Sequence, residues 1–391
     1  MRPISELLEV FHSCFHNPNP PKFFFAPARV NLIGEHIDYH GGDVMPAALD
    51  MGTLVIAAEN GSNLLRLCAE DLPGISVTCP LDKLSLFRGK GWGSYQLGVA
   101  AFLSERGDSL TGMDLLFCGD IPFGAGLSSS ASIEVATAVT LTGQKGSPDL
   151  AVLCQRVENE FVGLNCGIMD QYASACGKKD HAMLLNCGTL ACSYVPLDLK
   201  DACLVITNTN KKRGLADSKY NERRAESEEA LIRLQTVYPD RKYLCALSEE
   251  ELLEAKSLFA DAPILFDRAY HVVTEQARVH KAADCMARGD LTAFGELLHA
   301  SNCSLRDKYE VTGDHLDALY DAICAVDGVY GTRMTGAGFG GCNVSLVKKS
   351  AVELFQEEVA ARYQKATGLI PSFYLSGIGE GAREVKKEEL L

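Results

Sequence analysis

Apolar residues recur along the chain with two different periods, which predict helices and strands in mixed order. Spacings of three and four residues indicate amphipathic helices, whereas continuous or alternating apolar runs indicate strands. In the first half the predicted helices cover 4–15, 95–103, 128–140 and 150–161, and the predicted strands cover 23–25, 53–58, 64–68, 75–78 and 113–118. Because the two kinds of element do not alternate regularly, the pattern favours an α+β architecture over a doubly wound parallel sheet.

The second half of the chain repeats this mixture in a different order. Strands are predicted at 182–185, 193–197, 204–207, 329–335, 343–347 and 372–375, with helices over most of 219–326 and over 351–366. No internal repeat or low-complexity linker separates the two halves. We therefore predict two α+β domains, an N-terminal one over 1–185 and a C-terminal one over 186–391.

Composition and charge exclude several classes of partner. The chain has 391 residues and a formal net charge of -14, which argues against binding to nucleic acid or to an anionic membrane surface. No apolar run is long enough to cross a bilayer, and Glu6 and Glu9 interrupt any signal-peptide pattern. The 15 cysteines form no Cys-x-x-Cys pair, which is typical of reduced thiols. We expect a cytoplasmic monomer with neither a nucleic-acid nor a membrane partner.

A Gly- and Ser-rich segment at 119–132 follows a predicted strand and opens a predicted helix. A turn of this kind gathers unpaired main-chain N–H groups at the positive end of the helix dipole, and its glycines let a ligand approach closely. No lysine follows the glycines, so the segment differs from a Walker loop. It is consistent with a phosphate-binding loop, and equally with a tight turn followed by a Ser-rich helix cap.

A second group of polar side chains follows the strand predicted at 23–25. Arg29, Asn31, Glu35, His36 and Asp38 lie within ten residues and are interrupted by apolar ones. A surface loop would also have such a composition. A partly buried site that binds several hydroxyl groups would need it, because buried polar groups without partners are costly.

A third segment, 336–341, matches the dinucleotide-binding pattern G-x-G-x-x-G. That pattern binds a dinucleotide only when a helix follows the turn directly. Here 342–347 has the two-residue period of a strand, so the dinucleotide hypothesis fails on its context.

Taken together, these segments resemble the galactokinase family of the GHMP kinases. The sequence at 27–39 is similar to the galactokinase signature, with Ala28 in place of the usual Gly and Ile37 in place of a common Thr. The segment at 122–132 resembles the second GHMP motif, and 334–342 resembles the third. The resemblance covers nearly the whole chain and implies a two-domain GHMP-kinase fold, with the active site in the cleft between the domains.

The resemblance also implies an activity and a set of site residues. The implied reaction transfers a phosphoryl group from ATP to the anomeric hydroxyl of galactose, with Asp170 as proton acceptor and Arg29 balancing charge. The residues implied to bind the sugar are Glu35, His36, Ile37, Asp38, Gly167 and Tyr220. Those implied to bind ATP are Gly124, Ala125, Gly126, Leu127, Ser128, Ser129 and Ser130, with Trp92 and Tyr95 beside the adenine, and those implied to hold Mg²⁺ are Ser130 and Glu158.

From the residues alone, several of these positions have simpler interpretations. Asp170 would be a helix cap or an ion-pair partner, Glu158 a solvated helix residue, and Trp92 and Tyr95 core residues. Two other functions also stay open. A kinase of the same superfamily could act on N-acetylgalactosamine or arabinose, and a non-catalytic galactose sensor could share the scaffold. The complete Ser-rich loop favours an enzyme over the sensor.

Overall fold

A computed structural model describes residues 2–89, 91–122, 125–211 and 216–390 of the chain. The helices are α1 (Ile4–Phe15), α2 (Ser94–Arg106), α3 (Ser129–Thr142), α4 (Pro148–Arg156), α5 (Met169–Cys176), α6 (Ala216–Leu234), α7 (Glu249–Glu254), α8 (Pro263–Ala287), α9 (Leu291–Ser304), α10 (Asp314–Cys324) and α11 (Val352–Thr367). The strands are β1 (Lys22–Asn31), β2 (Asp43–Val44), β3 (Pro46–Glu59), β4 (Leu64–Ala69), β5 (Ser76–Pro80), β6 (Met113–Gly119), β7 (His181–Asn186), β8 (Cys192–Pro196), β9 (Ala202–Asn208), β10 (Val329–Thr335), β11 (Cys342–Lys348), β12 (Ser372–Leu375) and β13 (Arg383–Val385). The predicted α+β class is confirmed.

The first sheet has the strand order β13-β1-β3-β6-β4-β5. Its neighbours are antiparallel except for β4 and β6, which run parallel. Helix α1 covers one face, where Leu7 and Phe11 pack with Leu54, Ile56 and Leu116. Helices α3 and α5 pack against the other face. Strands β1 and β3 are therefore buried on both sides, as their nearly continuous apolar sequences require.

Strand β1 is longer than the predicted segment at 23–25, because it continues through a proline. Its register with β3 shifts between Pro27 and Arg29, which marks a β-bulge whose extra residues lie on β3. Beyond the bulge the strand resumes and ends at Asn31. The first polar residues of the galactokinase-like signature thus lie on a buried strand rather than in a loop.

The second sheet has the order β10-β11-β9-β12 and is antiparallel throughout. Helices α10 and α11 pack on one face of this sheet, and α9 packs against β10. Helix α9 and strand β10 approach each other closely, and this contact requires glycine on both sides. A Cβ at Gly295 of α9 or at Gly331 of β10 would collide with the main chain of the other element.

A small third sheet, in the order β2-β7-β8, lies beside the two larger ones. The predicted division between 185 and 186 falls at the end of β7 and stays a prediction. After the second sheet the chain returns to the first, where β13 pairs with β1 and Val385 lies opposite Phe23. None of the helices in the described ranges is both long enough and apolar enough to span a membrane.

Candidate active site

Two adjoining cavities lie between the halves of the fold and meet at Arg29 and Asp170. Their volumes are about 240 Å³ and about 230 Å³. Among the predicted site residues, the first cavity is lined by Arg29, Glu35, His36, Asp38, Glu158, Gly167, Asp170 and Tyr220. The second is lined by Ala125, Gly126, Leu127, Ser128, Ser129 and Ser130, together with Arg29 and Asp170. The signature segment and the Ser-rich loop, which are far apart in the sequence, thus form one continuous site.

An ion pair between Arg29 and Asp170 stands where the cavities meet. Arg29 Nε donates to Asp170 Oδ1 at 2.7 Å, and Nη2 donates to Oδ2 at 2.9 Å. The Arg29 side chain is 4% exposed, whereas that of Asp170 is 29% exposed. Burial lowers the pKa of Arg29, but the carboxylate of Asp170, with those of Glu35 and Asp38 nearby, more than offsets this, so the net pKa is raised. The two parallel hydrogen bonds fix the orientation of a carboxylate that remains open to the cavity.

The Ser-rich loop is held against this ion pair by its main chain. Arg29 Nη1 donates to the Gly126 carbonyl at 2.9 Å, and the Arg29 N–H donates to the Leu127 carbonyl at 3.3 Å. The Ser128 hydroxyl donates to Asp170, and Ser128 itself has a φ of 59°. No side chain of the described residues caps the N-terminus of α3. The N–H groups of its first turn therefore remain available to an anion.

Asp38 lies on the wall of the first cavity, packed against Gly167. Burial, assisted by the nearby Asp170 and Glu35, raises the pKa of Asp38 to about 7. Its carboxylate accepts from its own N–H and that of Tyr39, and no side chain in the described part of the chain donates to it. A Cβ at Gly167 would collide with this carboxylate. The glycine is needed for the space that the carboxylate occupies.

Glu35 is occupied by protein groups on both carboxylate oxygens. Asn31 donates to Oε2 at 2.7 Å, while the Gly336 N–H donates to Oε1 at 2.6 Å and the Thr335 hydroxyl does so at 3.1 Å. Arg333, which is fully buried, forms an ion pair with Oε1 at 3.4 Å. Glu35 therefore joins the signature segment at 27–39 to the Gly-rich turn at 336–341, a structural role that the sequence did not predict.

His36 and Tyr220 form an aromatic corner of the first cavity, with ring centroids 5.6 Å apart. His36 has a φ of 62°, an unusual conformation that turns its side chain toward the cavity. Ile37 does not line the cavity, because its side chain is fully buried in the core. Its carbonyl instead accepts from the N–H groups of His40 and Gly42.

The two predicted metal ligands approach each other from different cavities, with Ser130 lining the second and Glu158 the first. Ser130 hydrogen-bonds to Glu158, and the Gln171 side-chain amide donates to Glu158 Oε2 at 2.7 Å. Burial and the nearby Asp170 raise the pKa of Glu158 to about 7. No cluster of three or more acidic, His or Cys side chains able to hold a metal is found across the described ranges. One carboxylate and one hydroxyl nevertheless fit Mg²⁺, which completes its shell with phosphate and water oxygens.

The predicted adenine-flanking residues lie outside both cavities. Trp92 packs edge-on against Phe117, with ring centroids 6.4 Å apart. Tyr95 lies near Glu158, and burial together with that carboxylate raises its pKa to about 12. Gly124 falls outside the described residues.

Several residues of the site have no signal in the sequence pattern. Glu134 is fully buried on α3 and accepts from Gln171 Nε2 at 3.2 Å, so one amide binds two carboxylates. Burial, with Glu158 nearby, raises the pKa of Glu134 well above its ordinary value. Tyr309 reaches the signature segment from the C-terminal half. For Glu134 the one sequence signal was its position among apolar helix residues, since an acidic side chain inside an apolar helix is unusual and indicates a site.

Family models match three parts of the chain. They are the galactokinase galactose-binding signature over residues 9–59, the GHMP kinase N-terminal domain over 94–178 and the GHMP kinase C-terminal domain over 282–365. A galactokinase from Clostridium tetani is 47% identical over 93% of both chains. A galactokinase from Bacillus subtilis is 44% identical over 98% of this chain and 99% of its own.

Solved structures give the same relationship. A Lactococcus lactis galactokinase complexed with galactose has a TM-score of 0.93 and 41% identity, covering 98% of this chain and all 100% of its own. A mevalonate kinase from Methanococcus jannaschii, at 19% identity and a TM-score of 0.63, shares the fold. The predicted two-domain GHMP-kinase fold is confirmed, and the sequence matches over nearly the whole length show that the chain belongs to the galactokinase family.

Proposed function

We propose that the chain transfers the γ-phosphoryl group of ATP to the anomeric hydroxyl of α-D-galactose, giving galactose 1-phosphate and ADP. The observation that carries this proposal is the position of the Arg29–Asp170 pair, which lines the polar cavity and the cavity under the Ser-rich loop alike. A sugar in the first and a triphosphate in the second would place the acceptor oxygen and the γ-phosphorus on either side of this pair. Membership in the galactokinase family supports galactose as the sugar.

In this proposal Asp170 and Arg29 act on the transfer step together. Asp170 accepts the proton of the anomeric hydroxyl while the sugar oxygen bonds to the γ-phosphorus. The bond from that phosphorus to the β–γ bridging oxygen breaks, and ADP leaves. Arg29 stabilises the charge of the transferring group, and its two hydrogen bonds hold Asp170 in place. Positioning and charge supply most of the catalysis in phosphoryl transfer.

Recognition of the sugar is assigned to Asp38, His36 and Tyr220, with Glu35 holding the wall of the cavity. Hydroxyl groups of a sugar would supply the donors that Asp38 lacks among the described side chains. Gly167 contributes by leaving room for that carboxylate.

The nucleotide is assigned to the main-chain amides of 125–130, and Mg²⁺ to Ser130 and Glu158. The ion would neutralise charge on the β- and γ-phosphates. Glu158 is fixed by Gln171 at 2.7 Å, which presents a preformed oxygen ligand beside the loop. Trp92 and Tyr95 remain proposed neighbours of the adenine. We also propose a monomeric enzyme built from domains over 1–185 and 186–391, with the cytoplasm as its location.

A sugar panel in an ADP-release assay tests the function. We expect galactose to be the preferred acceptor, with N-acetylgalactosamine and L-arabinose giving kcat/KM values lower by at least about tenfold, because a lost or clashing polar contact costs about 1–3 kcal/mol. A protein that binds galactose without releasing ADP would be the sensor instead. Preference for another sugar would overturn the assignment of substrate.

Asp170→Asn separates binding from chemistry. The amide is nearly isosteric and still hydrogen-bonds the sugar, but it cannot take a proton. We expect kcat to fall about 100-fold or more, the usual scale for losing a general base, while the Kd for galactose changes by less than about tenfold. Calorimetry and single-turnover kinetics measure the two effects. Asp267→Asn, which removes an ion-paired carboxylate facing Lys308, is the matched control. Near wild-type turnover by Asp170→Asn would show that the carboxylate has a structural role only.

Glu158→Gln tests the metal assignment. Replacing the carboxylate by an amide removes the charged oxygen ligand, so the Mg²⁺ concentration for half-maximal rate should rise by about tenfold or more at saturating galactose. Glu160→Gln in the same π-helical turn (Val157–Val162) is the control, since Glu160 is exposed and pairs with Arg156. An unchanged Mg²⁺ titration for Glu158→Gln would remove this residue from the metal site.

Asp38→Asn should stabilise the free protein while weakening the use of galactose. The pKa of Asp38 is about 7 in the fold against an ordinary 3.8, so ionisation of the folded protein costs stability as the pH rises through this window. We expect the Tm of the variant to exceed that of the wild type by about 3 °C or more near pH 8, and the difference to shrink toward pH 4. Thermal unfolding across this pH range measures it. Asp108→Asn removes a partly exposed carboxylate that is paired with Arg106, and it should show no such rise. A Tm of Asp38→Asn below that of the wild type at pH 8 would contradict the raised pKa of Asp38.

A further inference from the structure

A chain of hydrogen bonds runs from the first cavity into the C-terminal half of the protein. His36 Nδ1 lies 3.0 Å from the Tyr39 hydroxyl oxygen, which lies 2.8 Å from that of Tyr309. The Tyr309 hydroxyl donates to Ser227 Oγ at 3.1 Å, and Ser227 donates to the Arg224 carbonyl at 2.9 Å. We refer to these groups as the hydroxyl relay.

The far end of the relay fixes its direction. The single proton of Ser227 goes either to the Arg224 carbonyl or to Nε2 of His40, which lies 2.7 Å from Ser227 Oγ, and in both cases Tyr309 donates to Ser227. Tyr309 then has no proton left for Tyr39, so Tyr39 must donate to Tyr309. The oxygen of Tyr39 is left as an acceptor, and it takes its hydrogen bond from Nδ1–H of His36.

This direction determines what His36 presents to the cavity. Burial, assisted by the nearby His271, lowers the pKa of His36 to about 3, so the ring is neutral and carries one proton. With that proton on Nδ1, Nε2 has a free lone pair. Nε2 is buried and has no hydrogen-bond partner within the described part of the chain. The main chain of Ala337 lies close to the ring and favours its protonated form, but burial outweighs this effect on the pKa.

We infer that Tyr39 and Tyr309 are positioning residues that hold His36 in the Nδ1–H tautomer, so that Nε2 accepts a hydrogen bond from one hydroxyl of the sugar substrate. The identity of that sugar rests on the proposed function, whereas the tautomer does not. The site should therefore discriminate between a hydroxyl group and a fluorine at one carbon of the sugar. A hydroxyl at the recognised carbon can donate to Nε2, whereas a fluorine at the same carbon cannot.

Tyr309→Phe removes one relay hydroxyl and keeps the packing. The ring of Tyr309 is fully buried and lies 5.0 Å from that of His36 and 4.7 Å from that of His271. Without the Tyr309 oxygen, the Tyr39 hydroxyl is free to donate to His36 Nδ1. The proton of the imidazole then moves to Nε2, which becomes a donor. Tyr363→Phe is the matched control, because that hydroxyl is also buried and ends on a main-chain carbonyl, at Thr209.

The tautomer can be measured directly on the ligand-free protein. Long-range ¹H–¹⁵N spectra of histidine-labelled protein, with His36 identified by its loss in His36→Gln, should show Nδ1 protonated and Nε2 unprotonated. The Tyr309→Phe spectrum should show the reverse or a mixture, and Tyr363→Phe should match the wild type. A protonated Nε2 in the wild type overturns the inference, even if Tyr309→Phe fails to fold. An unchanged spectrum in folded Tyr309→Phe also overturns it.

Substrate discrimination gives the second readout. Galactose and its analogues with a single fluorine at C2, C3, C4 or C6 are compared in the ADP-release assay. For each sugar the kcat/KM of the variant is divided by that of the wild type, so that the electronic effects of fluorine cancel. We expect Tyr309→Phe to relax the discrimination against fluorine at one carbon by about threefold to tenfold, with no change at the others. Equal ratios at all four carbons would contradict the inference. If galactose proves not to be a substrate, the spectra still decide the tautomer, so the two failures are distinguishable.

Discussion

The ion pair between Arg29 and Asp170 is the interaction on which the rest of the site depends. It joins β1, the first turn of α5 and the main chain of the Ser-rich loop, because the same guanidinium also donates to the Gly126 carbonyl. A buried ion pair of this kind adds little to stability on balance, since desolvation offsets much of the attraction, but losing one partner is costly. Its contribution is therefore geometric. The carboxylate is held at the boundary between two cavities, and neither cavity alone would define a reaction.

The site also concentrates carboxyl groups in a way that the fold alone would not favour. Asp38 and Glu158 have pKa values of about 7, and Glu134 is fully buried with one oxygen that has no partner among the described residues. Such groups lower the stability of the protein without ligands. Hydrogen-bond donors or cations brought by ligands would offset this loss of stability. Glu35, in contrast, is satisfied by protein groups on both carboxylate oxygens. This contrast distinguishes a side chain that shapes the wall from side chains left open for ligands.

The sequence predicted elements and motifs better than it predicted contacts. Helix and strand periods placed α1, β6 and β12 correctly, because each has a clean apolar pattern bounded by turn residues. Strand β1 was predicted too short, since Pro27 does not end the strand and still pairs with Gly52 of β3. The pairing of Glu35 with the turn after β10 involves residues 301 positions apart, and no local pattern carries that information. Ile37 belongs to the signature, yet its side chain lies in the core and does not line the cavity. Membership in a motif does not determine which way a side chain points.

The return of β13 to the first sheet has a consequence for how the chain is made. β1 carries Arg29 and lies next to β13, which is formed by residues 383–385 of a 391-residue chain. A ribosome releases the amino end first, so the outer edge of β1 stays unpaired until residues 383–385 have emerged. Exposed strand edges invite pairing with other chains. Completion of the first sheet therefore follows synthesis of the second sheet, and a product truncated before residue 383 would lack the edge strand next to β1.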